Sequence, residues 1–180
     1  MFKKIIITLK EIYLKILLKI ASNEKRSEIF RRYYGVKIGK NAVYTGIPNW
    51  GSEPYLIELG NDVRITTKVR FYTHDGGVGI FRKEYPGLNV FGKIKIGNNV
   101  FIGSHSTFLP GVTVGSNVVI ATSSVITKDI PDNVVVAGIP AKVIKSLDEY
   151  LKSSLKNGVI INEEDEVKRK QIILESVNKQ

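Results

Sequence analysis

Apolar positions between residues 94 and 130 return on a six-residue beat, which fits neither the 3.6-residue turn of a helix nor the two-residue alternation of an ordinary strand. From Ile96 the recurring aliphatic or aromatic positions are Ile102, Phe108, Val114, Ile120 and Ile126. The position four beyond each step (Val100, Ser106, Val112, Val118, Ser124, Ile130) is small or branched. One phrase, apolar-any-apolar-Gly-any-Asn/Asp, occurs four times, at residues 36–41, 57–62, 94–99 and 112–117. A six-residue repeat predicts an all-β solenoid, a parallel β-helix in which each hexad is one short strand and a corner. Three hexads close a triangular coil, so equivalents recur at 18 residues, as Ile96 and Val114 do. Gly and Asn are expected at the sharp corners, where positive φ costs them least.

The beat breaks twice. Ile38 to Leu59 is 21 residues, three more than a coil, which predicts a small excursion around residues 48–54. Leu59 to Ile96 is 37, and after hexads at Leu59, Ile65 and Phe71 the pattern is lost through Gly76 to Gly92, which predicts a long loop over residues 76–93. Structureless stretches of that length inside a compact domain are usually functional or disordered.

Outside residues 36–145 the pattern is helical. Phe2, Ile5, Ile6, Leu9, Ile12, Tyr13, Ile16, Leu17 and Ile20 fall on one face of a helix over residues 2–20, with Ile7, Leu14 and Leu18 on the other side. A second helix is predicted over 24–34 with Asn23 as its cap. Ser146, Asp148 and Glu149 mark a helix start and Asn157-Gly158 its stop. Asn162 with Glu163, Glu164 and Asp165 starts another helix, whose Val167, Ile172, Leu174 and Val177 would face a partner surface. The expected organisation is a helical segment at 1–35, the β-helix at 36–145 and C-terminal helices at 146–180.

Composition narrows the chemistry. The chain has no cysteine, which removes disulfides, thiolate nucleophiles and cysteine metal sites. Its two histidines, His74 and His105, cannot make a three-histidine metal site within one chain, so no metal is expected. Of the net charge of +10, residues 1–40 carry +8, and no nucleic-acid motif accompanies them. The first helix is too charged to cross a membrane, and it lacks a secretory cleavage site. It either packs on the end or flank of the prism or anchors the protein to an anionic lipid surface through residues 2–20. The protein is expected in the cytoplasm, in the second case membrane-associated.

The run Val100 to Gly115 (VFIGSHSTFLPGVTVG), the phrase Thr127-Lys-Asp-Ile-Pro131 and the phrase Ala137-Gly-Ile-Pro-Ala-Lys-Val-Ile144 closely resemble the hexapeptide-repeat acetyltransferases. More narrowly they resemble the sugar O-acetyltransferases that include the galactoside and maltose enzymes and many capsule or lipopolysaccharide enzymes. The resemblance implies a left-handed β-helix, a homotrimer with active sites between neighbouring prisms, and acetyl-CoA as donor. Proton removal from an alcohol needs a base. The resemblance places the catalytic histidine at His74, before the long loop, rather than at His105, which reads as a turn or cleft-lining residue. Glu53 or a backbone carbonyl would orient His74. Asp75 would meet the same ring only if the turn redirects it, because neighbours on a strand point to opposite faces, and it is equally a candidate to bind acceptor hydroxyls.

Asn49, Trp50, Ser52 and Tyr55 belong to the excursion and are candidates to line the sugar site. For Trp50, filling the loop is an equal alternative to stacking on a pyranose. On the donor side the resemblance implies contacts from Ser104 and Thr122 to the pantetheine arm, with Thr127 and Lys128 further along the same edge. Lys142 and Lys145 match positions that meet the nucleotide phosphates, and Phe101 stands where many relatives carry Trp. A backbone amide near Gly103 or Ser104 is the expected oxyanion donor. The expected activity is transfer of acetyl from acetyl-CoA to a sugar hydroxyl in surface-polysaccharide synthesis. The alternatives are N-acetylation of an amino-sugar nucleotide and a non-catalytic β-helix scaffold.

Overall fold

The hexads close as coils. In the computed structural model, which describes residues 13–14 and 16–178, thirteen strands form three sheets that wrap a prism. Face A stacks β1 (Lys37–Ile38), β3 (Ile57–Leu59), β6 (Ile94–Ile96) and β9 (Thr113–Val114). Face B stacks β2 (Val43–Tyr44), β4 (Arg64–Ile65), β7 (Val100–Ile102), β10 (Val118–Ile120), β12 (Val134–Gly138) and β13 (Ala141–Ser146). Face C stacks β5 (Arg70–Phe71), β8 (Thr107–Phe108) and β11 (Val125–Ile126), and a bridge from Asn49 to Arg70 extends it by one rung. The strand pairings are parallel except β12 with β13, which turns back and ends the stack.

The register follows the sequence spacing. Ile38 pairs with Leu59, Leu59 with Ile96, and Ile96 with Val114. The last coil departs from it. Val114 pairs with Ile130 and Ile120 with Val136, so this coil is two residues short of 18. Ile130 therefore occupies the large inward position rather than the small one expected from the beat. The shortened corner is tied by Asp129, whose Oδ1 accepts the Thr113 amide at 2.8 Å.

Inward side chains stack on their equivalents, and full burial of each contributes about 1.5–3 kcal/mol. On face C the stack is aromatic. Trp50 lies 5.1 Å from Phe71 with the rings at 18°, and Phe71 lies 4.8 Å from Phe108 at 11°. Phe30 closes the bottom edge-on, 5.1 Å from Trp50 and 5.3 Å from Tyr44. Trp50 is 3% exposed and belongs to the core, so it does not line a sugar site.

The corner between faces A and B divides its labour differently from the expectation. Positive φ falls on Asn41, Asp62, Asn99, Asn117 and Asn133, all between 53 and 59°, and not on the preceding glycines. Gly39, Gly60 and Gly97 are required for room instead: a Cβ there would lie 2.5–2.6 Å from the carbonyl oxygen of the glycine in the next coil. The Asn and Asp side chains then join coil to coil, Asn99 Nδ2 donating to Asn117 Oδ1 at 2.8 Å and Asn117 Nδ2 to Asn133 Oδ1 at 3.0 Å.

At the N-terminus, Phe2, Ile5, Ile6, Ile7, Leu9 and Ile12 lie outside the described residues. The sequence leaves open which face of the first helix meets the prism; in its described part Leu17, from the larger face, is partly buried beside the two leucines of the other. Leu14 and Leu18 are buried against the prism, while Tyr13, Ile16 and Ile20 are exposed. Arg26 fastens this segment, its Nε donating to Leu18 O at 2.8 Å and its Nη1 to Tyr44 O at 2.9 Å. Helix α1 (Asn23–Ile29) is capped by Ser22 and not by Asn23, whose Oδ1 instead accepts the Tyr44 amide at 3.0 Å. The chain then widens into a π-helical turn, Phe30–Tyr34, which ends at Gly35 with φ 76°. At the other end, α2 (Leu147–Asn157) starts on a capping box of Ser146 and Glu149, as its sequence predicts. Helix α3 (Glu166–Val177) is capped by Asp165, three residues later than expected from Asn162. No residue of α2 or α3 is buried.

Because Gly97 has no room for a Cβ, Gly97→Ala is expected to lower stability by about 2 kcal/mol or more. Gly76→Ala, where nothing lies within 4 Å of an added Cβ, is expected to change little. Midpoints of chemical unfolding check both, and equal effects would contradict the packing role of the corner glycines.

Candidate active site

The end of β5 alternates as a strand must. Phe71 points in, Tyr72 out and Thr73 in, and His74 follows on the outer side, partly exposed. Both ends of the long loop are fastened here: Asp75 N donates to Val90 O at 2.9 Å, Gly92 N donates to Thr73 O at 2.8 Å, and His74 and Phe91 form an antiparallel bridge. The loop thus leaves and returns beside His74, and Phe91 sets its ring edge-on at 6.3 Å from the imidazole. Within the loop, Gly76–Phe81 winds into a 3-10 turn capped by Asp75, whose Oδ1 accepts the Gly77 amide at 2.8 Å.

The excursion brings a carboxylate to the same place. Asn49 stays on face C, its amide donating to Val69 O at 2.9 Å, and its Oδ1 accepts the Gly51 amide at 3.0 Å. Gly51, at φ 71°, lies so close to β5 that a Cβ would be 2.6 Å from Phe71 O. Glu53 follows, just before a 3-10 turn at Pro54–Leu56. Its Oε2 accepts the Thr73 hydroxyl at 2.8 Å and meets His74 Nδ1 at 2.9 Å. Of the two orienting groups the sequence left open, the carboxylate of Glu53 is the one in contact with the ring. A carboxylate only accepts, so Nδ1 carries the proton, and in the neutral ring Nε2 offers its lone pair. The bond from His74, then the bond from Thr73, hold the Glu53 carboxyl below the ordinary carboxylate range.

His74 opens into a groove of about 610 Å³ lined also by Tyr72, Asp75, Val90, Leu109, Pro110 and Thr127. Tyr72, Leu109 and Pro110 were not singled out by the sequence. Strand alternation would have found Tyr72, two residues before His74 on the same face. Asn49, Ser52 and Tyr55 are exposed on the excursion but do not line this groove.

The donor residues fall on two edges of the prism, not one. Ser104 and Thr122 stand at the corner between faces B and C, where Ser104 Oγ donates to Thr66 Oγ1 at 3.1 Å. Thr127 and Lys128 follow β11 at the corner between C and A, the corner that carries His74. The Gly103 amide donates to Ile120 O at 2.8 Å in the coil ladder, so it is not the expected oxyanion donor. His105 sits in that same B–C corner at φ 64°, its amide donating to Thr67 O at 3.0 Å, a turn residue as read. Phe101 is exposed on the outer side of face B, in register with Arg64 and Val119. Lys142 and Lys145 lie on β13 of that face, Lys145 opposite Val135. Among the described residues no cluster of three or more His, Asp or Glu could hold a metal ion.

Comparison with known proteins adds four likenesses. Residues 93–128 match the family model "Bacterial transferase hexapeptide (six repeats)". Protein CapG of Staphylococcus aureus is 48% identical over 151 residues, 83% of this chain and 85% of that protein. A crystal structure of a maltose O-acetyltransferase from Clostridium difficile 630 superposes with a TM-score of 0.56 at 30% identity, covering 74% of this chain and 84% of that one. A galactoside acetyltransferase in complex with coenzyme A superposes with a TM-score of 0.50 at 26% identity, covering 80% and 82%.

A carboxyl held below its ordinary range stabilises the fold above the unfolded-chain value, and that stability is lost as pH falls through the folded value. Glu53→Gln is therefore expected to be less stable than the parent at neutral pH, with the difference closing as pH falls below the ordinary carboxylate range. Chemical unfolding across this range checks it; a gap that stays constant with pH would contradict the bonding at Oε2.

Proposed function

The chain belongs to the hexapeptide-repeat acyltransferases, with their left-handed parallel β-helix and acetyltransferase activity, and on that premise we propose that it transfers acetyl from acetyl-CoA to a sugar hydroxyl in the synthesis of a surface polysaccharide. The observation that carries this reading is the pairing of Glu53 with His74 Nδ1 at 2.9 Å, at the mouth of a groove that also holds Thr127. The maltose and galactoside relatives transfer acetyl to sugars by name, and the galactoside enzyme's complex holds coenzyme A.

His74 Nε2 accepts the proton of the acceptor hydroxyl as its oxygen attacks the thioester carbonyl. The tetrahedral intermediate collapses, the C–S bond breaks, and the departing CoA sulfur takes the proton from the imidazolium, directly or by relay. Glu53 keeps the ring in the tautomer this requires and stabilises the cation between the two steps. Tyr72, exposed in the groove, offers a flat face for a pyranose. An amine acceptor would need less help from a base above its own pKa. The oriented His74 thus favours the alcohol over N-acetylation of an amino-sugar nucleotide, and a scaffold needs no such pair.

The two-edge arrangement of donor residues supports a homotrimer. A coenzyme touching Ser104 and Thr122 of one prism and Thr127 and Lys128 lies between edges of neighbouring protomers. On this reading Phe101, Lys142 and Lys145 line the outer face along which the nucleotide end runs, and the two ammonium groups act as point charges on its phosphates. The C-terminal helices, with none of their residues buried, are free to pack between protomers.

We further place the protein on the cytoplasmic side, at an anionic membrane surface. With Leu14 and Leu18 turned to the prism, Tyr13, Ile16 and Ile20 form an exposed apolar stripe within the segment that carries +8. No described helix is long and apolar enough to cross a membrane.

His74→Ala is expected to lower turnover by about 10²–10⁴-fold, while His105→Ala stays within a few-fold. Release of free CoA thiol with a panel of sugars, nucleotide sugars and oligosaccharide repeats, and mass spectrometry of the products, checks this. Loss of activity on replacing His105 instead would overturn the assignment. Substituting Glu at both Ile16 and Ile20, which leaves the packed face intact, is expected to abolish co-sedimentation with phosphatidylglycerol vesicles. Undiminished binding would remove the membrane contact.

A further inference from the structure

We propose that Thr73 is a positioning residue, whose hydroxyl clamps Glu53 Oε2 so that the carboxylate holds His74 as its Nδ1–H tautomer; this rests on His74 being the base. Thr73 has no exposed surface, and its Oγ1 lies 2.8 Å from Oε2, the same oxygen that meets His74 Nδ1 at 2.9 Å. Consecutive strand residues point to opposite sides. The carboxylate oxygen is therefore held from the interior by Thr73 and from the groove by His74.

Glu53 needs this second hold. It arrives from an excursion 20 residues upstream of Thr73, its side chain has several rotamers to choose from, and the imidazole it serves is 37% exposed. A single bond to a half-exposed ring would leave the carboxylate free to turn toward water. Thr73 is itself held in place, because its carbonyl takes the Gly92 amide that closes the long loop. Gly51 completes the arrangement, since only a residue without Cβ lets the excursion lie on β5 within reach of Thr73. The loop closure, the excursion and the general base are thus joined at one oxygen atom.

A buried hydroxyl that merely satisfied itself would affect stability but not the tautomer, and the chain's two histidines make the distinction measurable. Imidazole ¹⁵N shifts of the free protein are expected to report the Nδ1–H form for His74. Thr73→Val, which keeps the shape and removes the donor, shifts His74 toward the Nε2–H form and leaves the His105 signal in place. Turnover falls about 10-fold at unchanged KM for either substrate, the scale of losing an outer hydrogen bond to a working histidine, and Thr73→Ser restores both. A His74 tautomer unchanged in Thr73→Val overturns the proposal. If the valine variant does not fold, Thr73→Ala is read by the same shifts with the same two outcomes. Because the shifts need no acetyl transfer, an active His74→Ala would sink the catalytic reading separately, whereas an inactive His74→Ala with an unmoved tautomer would sink only the role of Thr73.

Discussion

The structure depends on one spacing. Successive coils sit at the separation of a β ladder, about 4.8 Å, and every inward side chain must meet its equivalent at that distance. Ile96, Val114 and Ile130 do so on face A, as do Trp50, Phe71 and Phe108 on face C. The glycines at 39, 60 and 97 are dictated by the same closeness, because a methyl group at any of them would collide with the coil above. The Asn or Asp two residues later takes the left-handed turn, and these side chains tie the corners together.

The candidate chemistry of this scaffold lies where its regularity fails. The excursion and the long loop both interrupt the coil around face C. They meet because Asn49 and Arg70 are bridged as neighbours in the ladder, although the excursion precedes β5 by a coil. A carboxylate from the first interruption and a histidine at the root of the second are thereby set 2.9 Å apart. The core beneath them is aromatic and close-packed, so the platform that aims the imidazole is stiff. Position, not an unusual residue type, turns an ordinary histidine into a candidate base.

Some placements are not legible in the sequence, for identifiable reasons. Trp50 sits in a polar-looking stretch between Asn49 and Gly51, yet face C continues through Asn49, and the next residue must point inward. The first helix carried apolar residues on two faces, and periodicity could not say which of them would meet the prism; Arg26 and the buried pair Leu14 and Leu18 decide it. Thr127 and Lys128 looked collinear with Ser104 and Thr122 because all lie at turns between strands. One hexad of offset moves a residue to the next edge of a triangle, which a linear reading does not display.

The sequence by itself determined the coil, its 18-residue repeat and the two interruptions, because each is a consequence of local spacing and corner chemistry, while the His74 candidate came from the family resemblance. It also carried the acetyltransferase likeness in contiguous phrases such as Thr127-Lys-Asp-Ile-Pro131. Only the tertiary structure decided which carboxylate orients His74, that Thr73 holds that carboxylate from within, that Trp50 is core, and that the donor residues occupy two edges. Those facts depend on contacts between residues a coil or more apart in the chain, and on which side of a strand each one faces. No local pattern encodes such contacts until the coils are stacked.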